Sequence, residues 1–250
     1  MSHRHYFLVS QKDVFQGDSD NSPKFIQIRN EEHRHLSRAL RLKIGDEVWA
    51  TDGEGAMYHA VLKSIDREKS EAEILQSFRN YGEESLRLTL ALGVPKMQRF
   101  EWVLEKGTEL GVSQFIPMLT EHSVKFPKAQ KMERWRRIVL AAVKQSGRSV
   151  IPQIHAPAGF EEVIQLSENF AHRWMAHDEP KSKNSFLGSA KSGDRQDGLV
   201  IVGPEGGFSE NEIASAKNAD FELINLGNRR LRAETAALAA VVTILGMPRK

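Results

Sequence analysis

The chain has 250 residues, of which 40% are hydrophobic and 27% charged, with 18 glycines and 9 prolines along its length. These values exclude a fibrous protein, a mini-protein and a globally disordered chain, and they allow one large domain or two ordinary ones. The net charge is only +2, from 35 Lys and Arg against 33 Asp and Glu, so attraction to a polyanion has to come from local clusters of charge.

The first 79 residues predict a small β-barrel. Short β-forming segments, separated by Gly, Asp and Asn, mark strands over residues 6–9, 25–28, 47–51, 56–65 and 71–78. One helix is expected over residues 31–41, with Leu36 and Leu40 on its buried face. The polar, turn-rich segment 80–85 ends this pattern, so we predict a first domain over residues 1–79 and a second over 86–250.

From residue 86 onward strands and helices alternate, which indicates an α/β domain with a parallel sheet covered by helices on both faces. Strands are predicted around Leu86–Leu92 and over 114–119, 172–176, 199–202 and 221–226. Helices are predicted over 96–110, 131–146, 160–166 and 234–245, the first with Phe100, Val103, Leu104 and Leu110 at helical spacing before Gly111 as a cap. A capping box of Ser209 and Glu212 marks the start of one more helix.

The absence of cysteine excludes disulfides, thiolate metal sites and thiol nucleophiles. The longest apolar run, residues 236–245, is far shorter than the roughly 18 residues that a membrane span needs, so we expect a cytosolic protein. His3 with His5, and His33 with His35, have spacings that place two rings on one face of a strand. Because no third ligand lies nearby in the sequence, we expect no metal site.

Basic residues cluster in two segments. Residues 125–148 contain eight Lys and Arg against one acid, Glu133, and residues 29–43 contain five Lys and Arg with two histidines and two acids. A solvated helix face is the common explanation for such a run. The 8:1 imbalance in the first segment favours a phosphate-rich partner instead.

Two loops follow predicted strands, at the edge where ligands bind in open parallel sheets. The first, 203–208, reads Gly-Pro-Glu-Gly-Gly-Phe and allows the backbone to approach a ligand closely; a tight structural turn is the alternative. The second, 226–236, brings Arg229, Arg230 and Arg232 just before a helix that begins near Glu234. Arginines there oppose the helix dipole, so an anionic or electron-rich ligand would explain them better than a solvated turn.

Six stretches in order resemble one family, the RsmE-type 16S rRNA (uracil(1498)-N(3))-methyltransferases of the SPOUT superfamily. They are residues 33–41 with Gly45 and Asp46, 92–99, 105–112, 145–152, 202–209 and 226–236. The resemblance implies a PUA-like N-terminal β-barrel that helps hold rRNA, and a SPOUT domain whose last segment threads a trefoil knot. It also implies a homodimer, S-adenosylmethionine (SAM) as cofactor, and one methylated uridine of 16S rRNA in the small ribosomal subunit.

The family pattern implies cofactor-binding positions in the two loops and in the helix that follows. These are Val202, Gly203, Pro204, Glu205, Gly206, Gly207, Leu226, Gly227, Leu231, Arg232, Thr235 and Ala236. The loop at His177, which also follows a strand, is a further candidate. Methylation of uracil carbon 5 normally uses a thiolate, whereas nitrogen N3 needs a base for its proton and a cation for the charge that develops. We expect Glu234 or Glu205 as that base, with a slight preference for Glu234, and Arg232 as the cation.

The basic segments are expected to hold RNA phosphates around a base that is unpaired or turned out of a helix. The candidates are Arg4, Arg38, Arg41, Lys106 and Arg148. Two other functions stay open. The chain could be another knotted RNA methyltransferase, acting on a different base or a ribose 2′-OH, or a catalytically silent rRNA-binding factor with a relict pocket.

Overall fold

The computed structural model describes residues 4–17, 24–94, 97–123, 131–177 and 196–246. They form two compact units. The first comprises Met1–Glu83 with Val143–Ile151, and the second comprises Glu84–Ala142 with Pro152–Lys250. The domain limits 1–79 and 86–250 stay a prediction. Within the described ranges no helix is both long and apolar enough to cross a membrane.

The first unit is built on one six-stranded sheet. Its strands are β1 (Tyr6–Leu8), β2 (Val14–Gln16), β3 (Lys24–Arg29), β4 (Glu47–Thr51), β5 (Ala56–Ile65) and β6 (Lys69–Arg79), and their order is β1-β4-β5-β6-β3-β2. All neighbours are antiparallel except β1 and β4. The alternating apolar residues of these strands bury one continuous core around Phe7, Ile26, Val48 and Leu62.

The predicted helix over 31–41 is shorter and less regular than expected. Helix α1 covers Asn30–Arg34 and continues as a π-helical stretch over His35–Ala39. Leu36 is fully buried, as predicted, and Leu40 packs against the same core. Arg41 has a φ of +55°, a left-handed conformation that ends the helical segment.

Residues 149–151 add an edge to the first unit. The amide of Gly55 donates to the carbonyl of Ser149 (3.0 Å), and the amide of Ile151 donates to the carbonyl of Gly53 (2.9 Å). Residues Glu54 and Val150 face each other as an antiparallel bridge between them. This pairing joins positions almost 100 residues apart, so no local pattern predicts it.

The second unit is a parallel sheet of seven strands with the order β10-β8-β7-β12-β11-β13, and β9 pairs with β8. The strands are β7 (Leu86–Gly93), β8 (Gln114–Leu119), β9 (Gln153–Ile154), β10 (Ala158–Gly159), β11 (His172–Ala176), β12 (Gln196–Val202) and β13 (Glu222–Ile224). The helices are α2 (Met97–Glu109), α3 (Met132–Ser146), α4 (Phe160–Leu166), α5 (Glu210–Asn218) and α6 (Ala233–Leu245). Every pair of neighbouring strands is parallel, as predicted.

Helices cover both faces of this sheet. Apolar residues of α4 and α5 pack with Ile116, Met175 and Ile201 on one face, while α2 and α6 pack together on the other. The capping box at the start of α5 is confirmed, because Ser209 Oγ accepts from the amide of Glu212 and Glu212 Oε2 accepts from the amide of Ser209. The mixed α/β class with a parallel sheet is therefore confirmed. The trefoil knot stays a prediction.

Two predicted elements of this unit differ from the structure. The last strand ends at Ile224 instead of residue 226, because the side chain of Asn225 accepts a hydrogen bond from the amide of Gly227 (2.7 Å) and turns the chain. Leu110, expected on the buried face, lies just after α2 and is 37% exposed. The first change places Leu226 in a loop, and the second leaves an apolar side chain on the surface.

Candidate functional site

A pocket of about 240 Å³ lies at the carboxyl ends of three neighbouring strands, β11, β12 and β13. The loops after these strands supply its walls, as expected for a parallel sheet. Ten of the predicted cofactor residues line it, namely Val202, Gly203, Pro204, Glu205, Gly206, Gly207, Leu226, Gly227, Leu231 and Ala236. The two loops predicted separately are therefore brought together into one concave surface.

Two predicted cofactor residues do not line the pocket. Arg232 is exposed at the N-cap of α6, and its carbonyl accepts a hydrogen bond from the amide of Ala236 (2.8 Å). Thr235 is exposed on the first turn of α6. Both lie beside residues that do line the pocket, Leu231, Ala233 and Ala236, so they flank the pocket from outside.

Further lining residues lie outside the predicted cofactor positions, although four of them belong to the two predicted loops. They are Ala176, Phe208, Ile224, Arg229, Arg230 and Ala233, and His177 joins them from the loop that was a weaker candidate. Residues 178–180 of that loop lie outside the described residues. Ile224, Leu226, Leu231 and Ala236 are apolar lining residues, and Arg229 and Arg230 add positive charge to the lining.

A close approach of backbone to backbone shapes the first wall. A Cβ atom added at Gly93, the last residue of β7, would lie 2.6 Å from the nitrogen of Pro204 and 3.0 Å from the carbonyl carbon of Gly203. Only glycine allows the loop after β12 to lie this close to β7. The amide of Gly207 donates to the carbonyl of Pro204 (2.9 Å), and Gly207 has a φ of +73°, so this loop is a tight turn as well as a pocket wall.

The two candidate carboxylates meet at one arginine. Arg99, in the first turn of α2, donates through Nη1 to Glu205 Oε1 (2.5 Å), and its Nε lies 3.4 Å from Glu234 Oε1. Glu205 is 40% exposed, whereas Glu234 is only 12% exposed. The second oxygen of Glu234, Oε2, is buried and has no hydrogen-bond partner among the described residues. Glu234 is thus largely shielded from water, and it does not itself line the pocket but lies between Ala233 and Ala236, which do.

Ion pairs within the protein engage four of the eight basic residues of the segment 125–148, one of them Arg148. Arg134 pairs with Glu101, Arg136 with Glu133 and Lys144 with Glu32, all at 2.7 Å. Lys125 and Lys128 lie outside the described residues. The imbalance seen in the sequence is therefore reduced in the structure, because at least four of these charges already have a carboxylate partner.

Arg148 has a structural role in place of the predicted RNA contact. Its side chain is 3% exposed and forms a 2.5 Å ion pair with Glu83. Glu83 also accepts hydrogen bonds from the amides of Ser149 and Val150, both at 3.0 Å. A buried guanidinium that is paired with a carboxylate is not presented to a phosphate, so the predicted RNA contact of Arg148 was wrong. The sequence shows the positive charge of Arg148, but it does not show that the fold brings Glu83 next to it.

The other RNA candidates differ in how their charges are held. Hydrogen bonds to Glu105 and Glu109, both at 2.8 Å, raise the pKa of Lys106 above its ordinary value. Arg4 lies over the ring of Trp49, 4.8 Å from its centroid, and donates to the Tyr81 hydroxyl. Arg38 and Arg41 are exposed, and no carboxylate of the described chain forms a salt bridge with either of them.

The chemistry that this site permits follows from its composition. Glycine backbone and apolar side chains suit a flat, uncharged group, and the arginines and carboxylates at the rim suit a ligand with separated charges. A shielded carboxylate beside exposed arginines can accept a proton while a cation stabilises developing negative charge. Among the described residues no cluster of three or more His, Cys, Asp or Glu is arranged to hold a metal ion.

Two family matches cover most of the sequence. Residues 82–245 match an RNA methyltransferase domain, and residues 28–75 match an RNA methyltransferase PUA domain. The ribosomal RNA small subunit methyltransferase E of Synechocystis is 34% identical over 84% of this chain and 69% of its own length. The protein of the same name from Bacillus subtilis is 31% identical over 90% of this chain and 91% of its own.

Solved structures are similar over nearly the whole chain. The ribosomal RNA small subunit methyltransferase E from Neisseria gonorrhoeae, bound to SAM, has a TM-score of 0.80 and 28% identity over 97% of both chains. A probable rRNA-methyltransferase from Porphyromonas gingivalis has a TM-score of 0.76 and 31% identity over 96% of both.

Proposed function

Since this chain belongs to the RsmE-type family of small-subunit rRNA methyltransferases, we propose that it transfers a methyl group from SAM to N3 of one uracil in 16S rRNA. The observation that carries the proposal is the pocket at the ends of β11, β12 and β13, whose walls are the two loops of the family pattern. The target position, uracil 1498 in the family's nomenclature, is part of this proposal. We place the enzyme in the cytoplasm, where ribosomal subunits are found.

The residues of the pocket fit SAM. Leu226, Leu231 and Ile224 provide apolar contact for an adenine ring, and the backbone of residues 203–207 can reach the ribose and the methionine portion. Glu205 and Arg230 place opposite charges at the same rim, matching a ligand that carries both an ammonium and a carboxylate group. When bound, SAM supplies an electrophilic methyl group on a sulfonium ion.

The remaining steps depend on side chains of this chain. Uracil N3 holds its proton at neutral pH, so a base has to remove it before or during methyl transfer. We assign this role to Glu234, because Oε2 is shielded and without a hydrogen-bond partner among the described residues, and because Glu205 is more exposed. We assign to Arg232 the stabilisation of negative charge on the uracil carbonyl oxygens. Glu205 remains the alternative base.

RNA binding should depend on exposed arginines that have no carboxylate partner in the described structure. We expect the affinity for a 16S rRNA fragment to fall steeply with added salt, since phosphate contacts release counterions. The double substitution Arg38→Ala/Arg41→Ala should reduce the slope of log Kd against log salt by about one to two units. Fluorescence anisotropy at several salt concentrations measures this. Arg136→Ala is the matched control, because it removes an exposed arginine that is already paired with Glu133, and it should leave the slope unchanged. A Kd of the wild type that does not change with salt would contradict the phosphate role.

A second copy of the chain is the proposed partner of an apolar surface on α2 and α6. Helix α6 is apolar on nearly all sides: Ala237, Val241 and Ile244 are buried, yet Val242 is 52% exposed. Trp102 on α2 is 43% exposed, and Leu110, the residue just after α2, is also exposed. A helix that is apolar all round is normally covered on every side. Together with the family membership, this supports a homodimer.

The dimer can be tested by placing a charge on this surface. Val242→Glu should weaken self-association about 100-fold or more, because the carboxylate would have to be buried without a partner. Light scattering after gel filtration should then give a mass near that of one chain, 28.2 kDa. Leu75→Glu, at an apolar position of β6 that is equally exposed, should leave the mass unchanged. An unaltered mass for Val242→Glu would remove this surface from the interface.

The reaction itself is tested by transfer of labelled methyl from SAM to small ribosomal subunits from a strain that lacks the activity. Nucleoside mass spectrometry of the rRNA should show 3-methyluridine. A different methylated nucleoside would favour another knotted RNA methyltransferase, which acts on a different base or a ribose 2′-OH. Absence of both SAM binding and methyl transfer would favour a silent rRNA-binding factor.

A further inference from the structure

Arg99 is the one residue outside the pocket lining that contacts both candidate carboxylates in the described structure. Its guanidinium reaches Glu205 Oε1 at 2.5 Å and Glu234 Oε1 at 3.4 Å. Glu205 belongs to the loop after β12, and Glu234 lies on α6 between Ala233 and Ala236, two residues that also line the pocket. A single side chain thereby joins two walls that are separated by almost 30 residues in sequence.

The position of Arg99 has no simple explanation from the helix that carries it. It is the third residue of α2, and that first turn contains no acidic residue. A cation there faces the positive end of the helix dipole, which is unfavourable unless an anion compensates. Glu205 and Glu234 provide two such anions, and the planar guanidinium can donate to both, which a lysine ammonium does with less geometric definition.

The walls also meet directly at one point. Arg230 donates through Nη2 to the carbonyl of Glu205 at 3.2 Å. This bond connects the second loop to the first, but it does not hold α6, whose first turn includes Ala233 and Ala236 of the lining. The contact of Arg99 with Glu234 supplies the missing connection to α6.

We propose that Arg99 is a positioning residue that fixes the two walls of the cofactor pocket relative to each other. Arg99 does not itself line the pocket, and it acts through Glu205 and Glu234. Because an unfixed pocket would have to be ordered by its ligand, loss of Arg99 should weaken binding of the ligand and loosen both walls in the free protein. The inference rests on the proposed function in one respect, that the ligand is SAM.

The test compares Arg99→Met and Arg99→Lys with a control at the other end of β12, the strand that precedes the loop of Glu205. Arg87 on β7 pairs with Asp197 on β12 through two contacts of 2.5 Å, at the amino ends of the strands. Arg87→Met therefore removes an arginine–carboxylate pair of the same kind, far from the pocket. Calorimetric titration with SAM should show a Kd about tenfold higher for Arg99→Met, an intermediate value for Arg99→Lys, and a wild-type value for Arg87→Met.

A second readout needs no ligand. The amide of Gly207 is bonded within the first wall, to the carbonyl of Pro204, and the amide of Ala236 within the second, to the carbonyl of Arg232. Arg99→Met should accelerate hydrogen exchange at both amides about tenfold in the free protein, and Arg87→Met should not.

Two results would overturn the proposal. The first is that Arg99→Met keeps both the hydrogen-exchange rates of the two amides and the Kd for SAM within twofold of wild type. The second is that Arg87→Met changes these quantities as much as Arg99→Met does, which would indicate general destabilisation. Failure of the proposed function would look different. A wild-type protein without SAM affinity or methyl transfer would refute that function, while the exchange pattern of the free protein would still decide the role of Arg99.

Discussion

Glu234→Gln should reduce the rate of methyl transfer about 100-fold or more, which is the usual contribution of a positioned general base. The substitution keeps the shape of the side chain and an oxygen that can accept from Arg99, but it removes the basic oxygen that lies buried without a hydrogen-bond partner in the described structure. SAM affinity should therefore change only a few-fold. Single-turnover transfer to small ribosomal subunits, with SAM affinity measured by calorimetry, separates the two effects.

Glu205→Gln is the matched control for this experiment. Glu205 contacts the same arginine but is 40% exposed, and its side chain is part of the pocket rim. We expect it to affect SAM affinity more than the rate of transfer. A larger loss of rate in Glu205→Gln than in Glu234→Gln would reverse the assignment and make Glu205 the base.

Much of the fold follows from local patterns in the sequence. The limits of β4, β5, β8, β11 and α4 agree with those predicted, since alternating or periodic apolar residues are flanked there by turn-forming ones. Very short strands were missed. The short strands β2 and β9 are held by β3 and β8, and their two or three residues carry no pattern of their own.

The candidate site shows the same limit. Its two loops could be predicted because each follows a strand, and parallel strands bring their carboxyl ends to one edge. The partners of charged residues could not be predicted. Arg99 meets Glu205 across 106 positions and Arg148 meets Glu83 across 65, so the first residue received no role and the second received the wrong one. In both cases the role of the arginine depends on a carboxylate that is distant in sequence and that only the fold brings close.

Arg232→Ala should lower the rate of methyl transfer about 100- to 1000-fold, as expected when a group that stabilises developing negative charge is removed. The fold should be little affected, because Arg232 is exposed and caps α6 through its backbone carbonyl, which alanine retains. SAM affinity should stay within about threefold, since Arg232 does not line the pocket.

Arg229→Ala distinguishes a role in the reaction from a general effect of positive charge at the pocket. Arg229 is exposed, lines the pocket and lies three positions before Arg232 in the sequence. Its removal therefore changes the net charge as much as Arg232→Ala does, but it leaves the Arg232 guanidinium at the start of α6 in place. We expect Arg229→Ala to retain most of the transfer rate and Arg232→Lys to recover part of it, because an ammonium keeps the charge without the planar geometry. An unchanged rate in Arg232→Ala would exclude this side chain from the reaction, and equal losses in both alanine variants would indicate electrostatic attraction of RNA instead.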